Sequence, residues 1–206
     1  MSWYRDHVLP RLVDRACGGV GMDWWRAKVT AGLTGRVVEI GFGSGLNIEH
    51  YPSEVTIVLA VEPAAVARKL AAERVAGSGV PIVHIGLDGQ SIPLEDASCD
   101  SALATFTLCT VPDARQALRE LRRVLRPGGS FHFLEHGLAP DSSVARWQWR
   151  LDPIQGRLAD GCHLTRDPLA LLRDAGFLVG PYEQRYAKGP RPWSYFSVGV
   201  ATTPVE

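Results

Sequence analysis

No stretch of this sequence approaches the about 20 consecutive apolar residues that a bilayer-spanning helix needs, which argues against an integral membrane protein. Neither sign of charge is in excess, since 22 basic and 22 acidic side chains cancel. A protein that wraps nucleic acid carries a basic surplus, so polyanion binding is not expected. Cysteine is scarce: Cys17, Cys99, Cys109 and Cys162 are scattered and form no C-x-x-C pair. That spacing argues against a disulfide framework and against a structural zinc centre. Internal repeats, low-complexity tracts and a signal-peptide pattern are also missing. The expectation is a reduced, cytoplasmic protein. Its 206 residues are enough for one domain with a sizeable core and too few for two comfortable ones, so 1–206 is read as one.

What is present is an alternation of strands and helices. Two helical pieces come first, and residues 1–30 read as a helical cap. "WYRDHVLPRLVDRAC" (3–17) is amphipathic, and Pro10 either interrupts it or opens its second half. "MDWWRAKVTAGL" (22–33) follows three nearby glycines, with Asp23 placed to cap it. Runs rich in β-branched residues then mark strands at 36–41, 54–63, 80–86, 100–107 and 130–137. Helices are expected at 64–76, 113–125 and 167–176. In the second of these, Ala117, Leu118, Leu121, Val124 and Leu125 share one face, and "RPGG" stops it. Gly176 stops the third. "FLVGPYEQRYA" and "SYFSVGVAT" close the chain as strands around "KGPRPW". Such alternation implies a parallel sheet with helices on both faces, and the last two strands imply an antiparallel pair at one edge. Ligands of such sheets bind at the carboxyl ends of the strands, near the topological switch point.

The most informative segment is "VVEIGFGSGLN". A strand ends at Glu39–Gly41, and Gly41, Gly43 and Gly45 alternate through the turn. Missing side chains there let backbone N–H groups approach a ligand. A glycine loop alone is shared by nicotinamide enzymes, flavoproteins and methyltransferases. Spacing discriminates among them. The loop reads E-x-G-x-G-x-G rather than the dinucleotide G-x-G-x-x-G, and Glu62 ends the second strand 17 residues after Gly45. A carboxylate there can accept both hydroxyls of a ribose. Glu39, directly before the glycines, suits a cationic ammonium better than a pyrophosphate. The Tyr-x-x-x-Lys dyad of short-chain reductases does not follow the fifth strand.

With "VVEIGFGSG", "VEP", "LDGQSIPLEDASCDSALATFTLCTVPD" and "LRRVLRPGGSFHFLEHG", the chain resembles the class I S-adenosylmethionine-dependent methyltransferases over about residues 30–203. The resemblance implies a Rossmann-like α/β fold: an open, mostly parallel sheet with helices on both faces and a C-terminal antiparallel pair. It implies S-adenosyl-L-methionine as donor and S-adenosyl-L-homocysteine as product. Carried over by position, Gly41, Gly43 and Gly45 line the methionine part and Glu62 binds the ribose. Asp88 and Gly89 border the adenine, and Thr105 lies beside the sulfonium. "TLCTVPD", "RVLRPGGSFHFLEHG", "RLDP" and "DGCHLTRD" are further similar to animal thiol S-methyltransferases and their bacterial relatives. Those animal proteins begin with a membrane-anchoring segment that this sequence lacks. Similarity extends to quinone-biosynthesis C-methyltransferases and phospholipid N-methyltransferases. The implied acceptor is a small lipophilic molecule, with a thiol preferred. The alternatives are a quinone precursor, a lipid head group, or donor binding without turnover.

Methyl transfer from a sulfonium is an in-line displacement in which the protein supplies alignment and a dry pocket. A thiol acceptor needs modest help, because the thiolate is the nucleophile. His136, ending the fifth strand, reads as a base or acceptor-orienting group, or else as a hydrogen-bonded strand-end histidine. Strand alternation turns Glu135 to the opposite wall. Cys109 reads as a packing residue near the donor. Residues 138–166 form an acceptor-side insertion in which Trp147, Leu151, Ile154 and Leu158 recur at helical spacing. His163 either faces the acceptor or bonds its own loop. Cys162 and His163 diverge as neighbours, so they do not read as a zinc pair, and arsenite methylation is disfavoured because the cysteines lie far apart in sequence. Thr165 and Asp167 compete to cap the next helix. Trp3, Tyr4, Trp24, Trp25, Trp147, Trp149 and Trp193 lie outside the sheet strands. They read as an apolar lid, as an interfacial helix in peripheral contact with a membrane, or as ordinary packing.

Overall fold

A computed structural model describes residue 4, residues 7–19 and residues 21–205. Trp3, and with it the start of the helix expected over 3–17, lies outside the described residues. Helix α1 spans Leu9–Cys17 with Pro10 in its first turn, where a missing N–H costs nothing, so the proline opens the helix. Helix α2 is Asp23–Thr30. Asp23 is its first residue and does not cap it; Met22 holds the cap position without a side-chain bond. The carboxylate still favours the positive end of the helix.

The sheet is built from β1 (Gly35–Ile40), β2 (Val55–Val61), β3 (Ile82–Gly86), β4 (Cys99–Thr105), β5 (Leu125–His136), β6 (Leu178–Tyr186) and β7 (Tyr195–Thr202). Their spatial order is β3-β2-β1-β4-β5-β7-β6. β1 to β5 pair in parallel, whereas β7 runs antiparallel to both β5 and β6. The final strand therefore sits inside the sheet and β6 forms the edge. The crossover from β1 to its two neighbours, β2 and β4, opens the crevice at the switch point.

Alternation along the strands divides the core. Val38 and Ile40 of β1 point to one face, where they join Leu118 and Leu121 of α4 (Ala114–Val124) and Leu172 of α6 (Pro168–Asp174). Val37 points to the other, with Trp25 and Val29 of α2 and Ala71 of α3 (Ala65–Ala76). Leu118 and Leu121 are fully buried, and trimming either to alanine costs about 2–5 kcal/mol. The expected apolar face of α4 is thus the buried one, and Asp113 caps it by accepting from Gln116 N at 2.9 Å.

The segment after β5 is mostly helix α5 (Ser142–Leu158). Its buried side carries Val144 and Gln148, whereas Trp147, Trp149, Ile154 and Leu158 are exposed. The stripe read from helical spacing therefore faces outward. Among the described members of the aromatic set, only Trp25 is buried; its ring meets Phe196 edge-on at 5.3 Å. A short helix α7 (Arg191–Ser194) turns the chain into β7.

Candidate active site

The site grows from the carboxyl ends of β1, β2, β4 and β5. Gly41, Gly43 and Gly45 all adopt left-handed backbone, with φ of 67°, 59° and 77°. A Cβ on Gly41 would collide with the Thr107 side chain, so this glycine lets the loop close on the β4 turn. Around Gly43 the space is open: its nearest neighbour would be the Gly41 carbonyl at 3.8 Å. A cradle bare of side chains is what an approaching ligand requires.

Both predicted carboxylates flank this loop. Glu62 is 6% exposed and accepts from Gly43 N and Ala64 N, each at 2.7 Å. It braces the loop from the β2 side. Burial raises its pKa, partly offset by those two amides. Glu39 is fully buried and accepts from Asn47 Nδ2 at 2.8 Å and from the Tyr51 hydroxyl. Burial lifts its pKa to about 7, against the Tyr51 and Asn47 hydrogen bonds and the Arg26 charge. Asn47 links the whole group. It donates to Thr105 Oγ1 at 3.1 Å and accepts from Arg26 at 2.7 Å. Arg26, Asn47 and Tyr51 were not singled out from the sequence as site residues. Polar residues on a cap helix and in a loop give no periodic signal. Asp88 and Gly89 follow β3, with Gly89 packed against Ile40 at the end of β1; Asp88 is exposed and accepts from Gln90.

Beyond Thr105 the chain turns sharply. Phe106 has φ of 52°, a strained conformation for an aromatic residue that costs on the order of 1–3 kcal/mol and concentrates at functional sites. Its ring stacks on His136 at 6.5 Å and meets Phe196 at 5.0 Å. Glu135, pointing away from His136 as strand alternation requires, fixes this turn. Its buried carboxylate accepts from Thr107 N and Leu108 N at 2.8 Å and from Cys109 N at 3.3 Å. Arg166 holds the same loop from outside through the carbonyls of Leu108 and Val111.

The two histidines take different places. His136 is partly buried; its Nε2 lies 3.1 Å from Cys162 Sγ, and its shielded Nδ1 has no hydrogen-bond partner among the described residues. Burial pulls its pKa down, but the hydrogen bond to Cys162 and nearby negative charge outweigh burial and raise it. His163 turns to α5, where Nδ1 meets Asp152 Oδ2 at 2.9 Å. Asp152 also accepts from Leu164 N at 2.6 Å and from Thr165 N and Oγ1, each at 3.1 Å. Thr165 is thereby committed to Asp152, and Asp167 caps α6 by accepting from Leu169 N and Ala170 N. His163 N donates to the Cys109 carbonyl at 2.8 Å, which ties this loop to the β4 turn.

Sequence spacing offered no metal-binding set, and Cys162 does not pair with its neighbour His163. The fold instead brings Cys109, His136 and Cys162 together, with their ligand atoms within 4.8 Å of one another. Three elements that are remote in sequence supply them, so no local motif could announce the cluster.

A methyltransferase-domain family model matches residues 38–133. The human thiol S-methyltransferase TMT1A is 34% identical over 176 residues, covering 79% of this chain and 68% of the relative. Matches of this kind span about two thirds of the relatives' length. The ubiquinone/menaquinone biosynthesis C-methyltransferase UbiE of Caulobacter vibrioides is 50% identical over 48 residues, 23% of this chain and 19% of that protein. A SAM-dependent methyltransferase structure from Methanosarcina mazei superposes with a TM-score of 0.61 at 23% identity, covering 83% of this chain and 93% of the other, a likeness of fold. The open glycine cradle and its two carboxylates fit the donor such enzymes use, S-adenosylmethionine. The chain belongs to the class I S-adenosylmethionine-dependent methyltransferases, enzymes that carry a methyl group to a small acceptor.

Proposed function

We propose that the acceptor is a small apolar thiol, methylated on sulfur. The observation that carries this reading is the wall beyond Thr105. It is built from Phe106, Phe196, Cys109, Cys162 and His136, a surface of aromatic rings and sulfur. Aromatic rings and thiols give a charged acceptor little in exchange for its lost hydration. The relationship to thiol S-methyltransferases points the same way.

S-adenosylmethionine supplies a methyl group already activated on a sulfonium, so the protein's task is alignment. Gly41, Gly43 and Gly45 present backbone to the methionine end, and Glu39 sets a negative potential beneath its ammonium. Glu62 takes the ribose hydroxyls, Asp88 and Gly89 border the adenine, and Thr105 lies beside the sulfonium. On the acceptor side, His136 orients the incoming sulfur and favours its thiolate, which is the nucleophile. His163 acts through Asp152, holding the 160–166 loop that carries Cys162.

The local match to a C-methyltransferase keeps a carbon acceptor as a second reading. A mixed panel of apolar thiols, charged thiols of matched pKa, amines and phenols, with a deuterated methyl donor and mass-spectrometric detection, separates the two. Apolar thioethers are expected as the main products. His136→Gln should slow their formation at least about tenfold while leaving donor affinity unchanged. Phenol or amine products without thioethers, or equal rates on apolar and charged thiols, would overturn the assignment.

A further inference from the structure

We propose that Cys109, His136 and Cys162 form a three-ligand site for a thiophilic divalent cation, with zinc as the matching chemistry, and that its fourth position takes the acceptor thiolate. This deepens the thiol reading above and rests on it. Three observations converge. The Nε2 of His136 and the two Sγ atoms lie within 4.8 Å of one another, and His136 Nε2 is 3.1 Å from Cys162 Sγ. A tetrahedral zinc with Zn–S of about 2.3 Å and Zn–N of about 2.0–2.1 Å separates its ligands by about 3.5–3.8 Å, so small adjustments suffice. Thiolate and imidazole together are the donor set that selects such ions.

The second observation is rigidity. Glu135 holds the Cys109 amide, His163 N binds the Cys109 carbonyl, and Asp152 fixes the residues that follow Cys162. The ligands are held by bonds that do not involve their own donor atoms, as a preorganised metal site requires. The third is incompleteness: among the described residues three candidate ligands gather and no fourth joins them. Cys109 and Cys162 are buried at 3% and 8% exposure, while His136 stays partly open beside Phe106. Structural zinc sites are closed by four protein ligands, whereas sites with three keep a position for the reacting group.

The chemistry balances. Two cysteine protons leave when the cation binds, and the acceptor's S–H proton leaves to solvent when its sulfur takes the open position. A coordinated thiol is deprotonated at neutral pH. The sulfur lone pair then forms the new S–CH₃ bond as the donor's S⁺–CH₃ bond breaks. S-adenosylhomocysteine leaves neutral, and the thioether product, a weak ligand without charge, vacates the metal. Nδ1 of His136, which has no hydrogen-bond partner among the described residues, would carry the ring proton when Nε2 is coordinated.

The test uses the untagged full chain, chelator-stripped under a phosphine reductant and titrated with Co(II). Expected are sulfur-to-cobalt charge-transfer bands and intense tetrahedral d–d bands at equimolar metal, reversed by Zn(II). Cys162→Ala and Cys109→Ser should weaken binding beyond the about 10–100-fold typical of outer-shell changes, while Cys99→Ala leaves it unchanged. Donor affinity of each variant verifies folding. Adding an apolar thiol with S-adenosylhomocysteine should shift the d–d bands, and stripping should suppress thiol methylation until Zn(II) is restored. Absence of the bands in the parent protein, or their persistence in Cys162→Ala, would overturn the site. Loss of one sulfur contribution in Cys17→Ser would show a fourth protein ligand and overturn the open position. Bands that stay fixed while a thiol is being methylated would overturn the activating role. If the bands form and no thiol is methylated, the acceptor assignment fails and the metal site stands.

Discussion

On the proposed donor site, Glu39 couples donor binding to pH. Its carboxyl is held up to about 7, chiefly by burial. Below the ordinary carboxylate range the group is protonated in folded and unfolded chains alike, and its contribution to stability is fully present. As pH rises through 4.5 toward about 7, the unfolded chain ionises first and that contribution is lost, by about 3 kcal/mol. A donor bringing positive charge beside the carboxylate reverses the preference and expels the proton. Donor affinity should therefore rise with pH up to about 7 and level off above it. Titration calorimetry in buffers of different ionisation heat would register proton release on the rising limb. Glu39→Gln should flatten the profile. Affinity independent of pH in the parent protein would separate Glu39 from the donor.

At the scale of elements, the β4 turn and the loop before α6 are each clamped by a carboxylate, Glu135 and Asp152. Glu135 accepts from three consecutive backbone amides of the β4 turn. Glu135→Ala leaves them buried without a partner, and should cost about 2–5 kcal/mol in urea unfolding. Glu135→Gln keeps an acceptor oxygen and should cost less; equal losses would refute the amide-clamp account. The elements themselves were legible from the sequence. β-branched runs bounded by glycine marked β1 to β5, and the helical repeat in 113–125 marked α4 with its buried face. The glycine turn after β1 and the carboxylate after β2 were legible too, because Gly41, Gly43, Gly45 and Glu62 sit at strand ends with fixed offsets. The acceptor side was not. Glu135, Asp152 and Arg166 look like surface charges in one dimension, and only the tertiary fold reveals them as loop clamps. The Trp147–Leu158 stripe left its direction open for a related reason: spacing shows that apolar residues share a face, not which way that face points. Gln148, a polar residue on the other side of α5, is buried beside Val144, accepting from Ala139 N at 2.9 Å and donating to the Gly137 carbonyl at 2.9 Å.

For the whole molecule, donor binding and folding are one linked equilibrium. The cradle joins α2, β1, β2 and β4, so a donor recognises only the assembled sheet. A ligand that binds only the folded chain at about 100 times its Kd adds about 2.7 kcal/mol of stability. In a domain of this size that raises Tm by about 5–10 °C. Glu62→Ala removes charge-assisted hydrogen bonds worth about 1–3 kcal/mol of donor affinity, so its Kd rises roughly 5- to 150-fold. At the same donor concentration the thermal shift should shrink to between about two thirds and about a tenth of its parent size. The donor-free Tm should also fall, because Gly43 N and Ala64 N lose their acceptor. These two effects are separable by scanning calorimetry across donor concentrations: the first changes the slope of Tm against log concentration near Kd, the second only the intercept. A variant whose intercept falls while its donor response is unchanged would make Glu62 a loop brace alone, and would move ribose recognition elsewhere in the crevice.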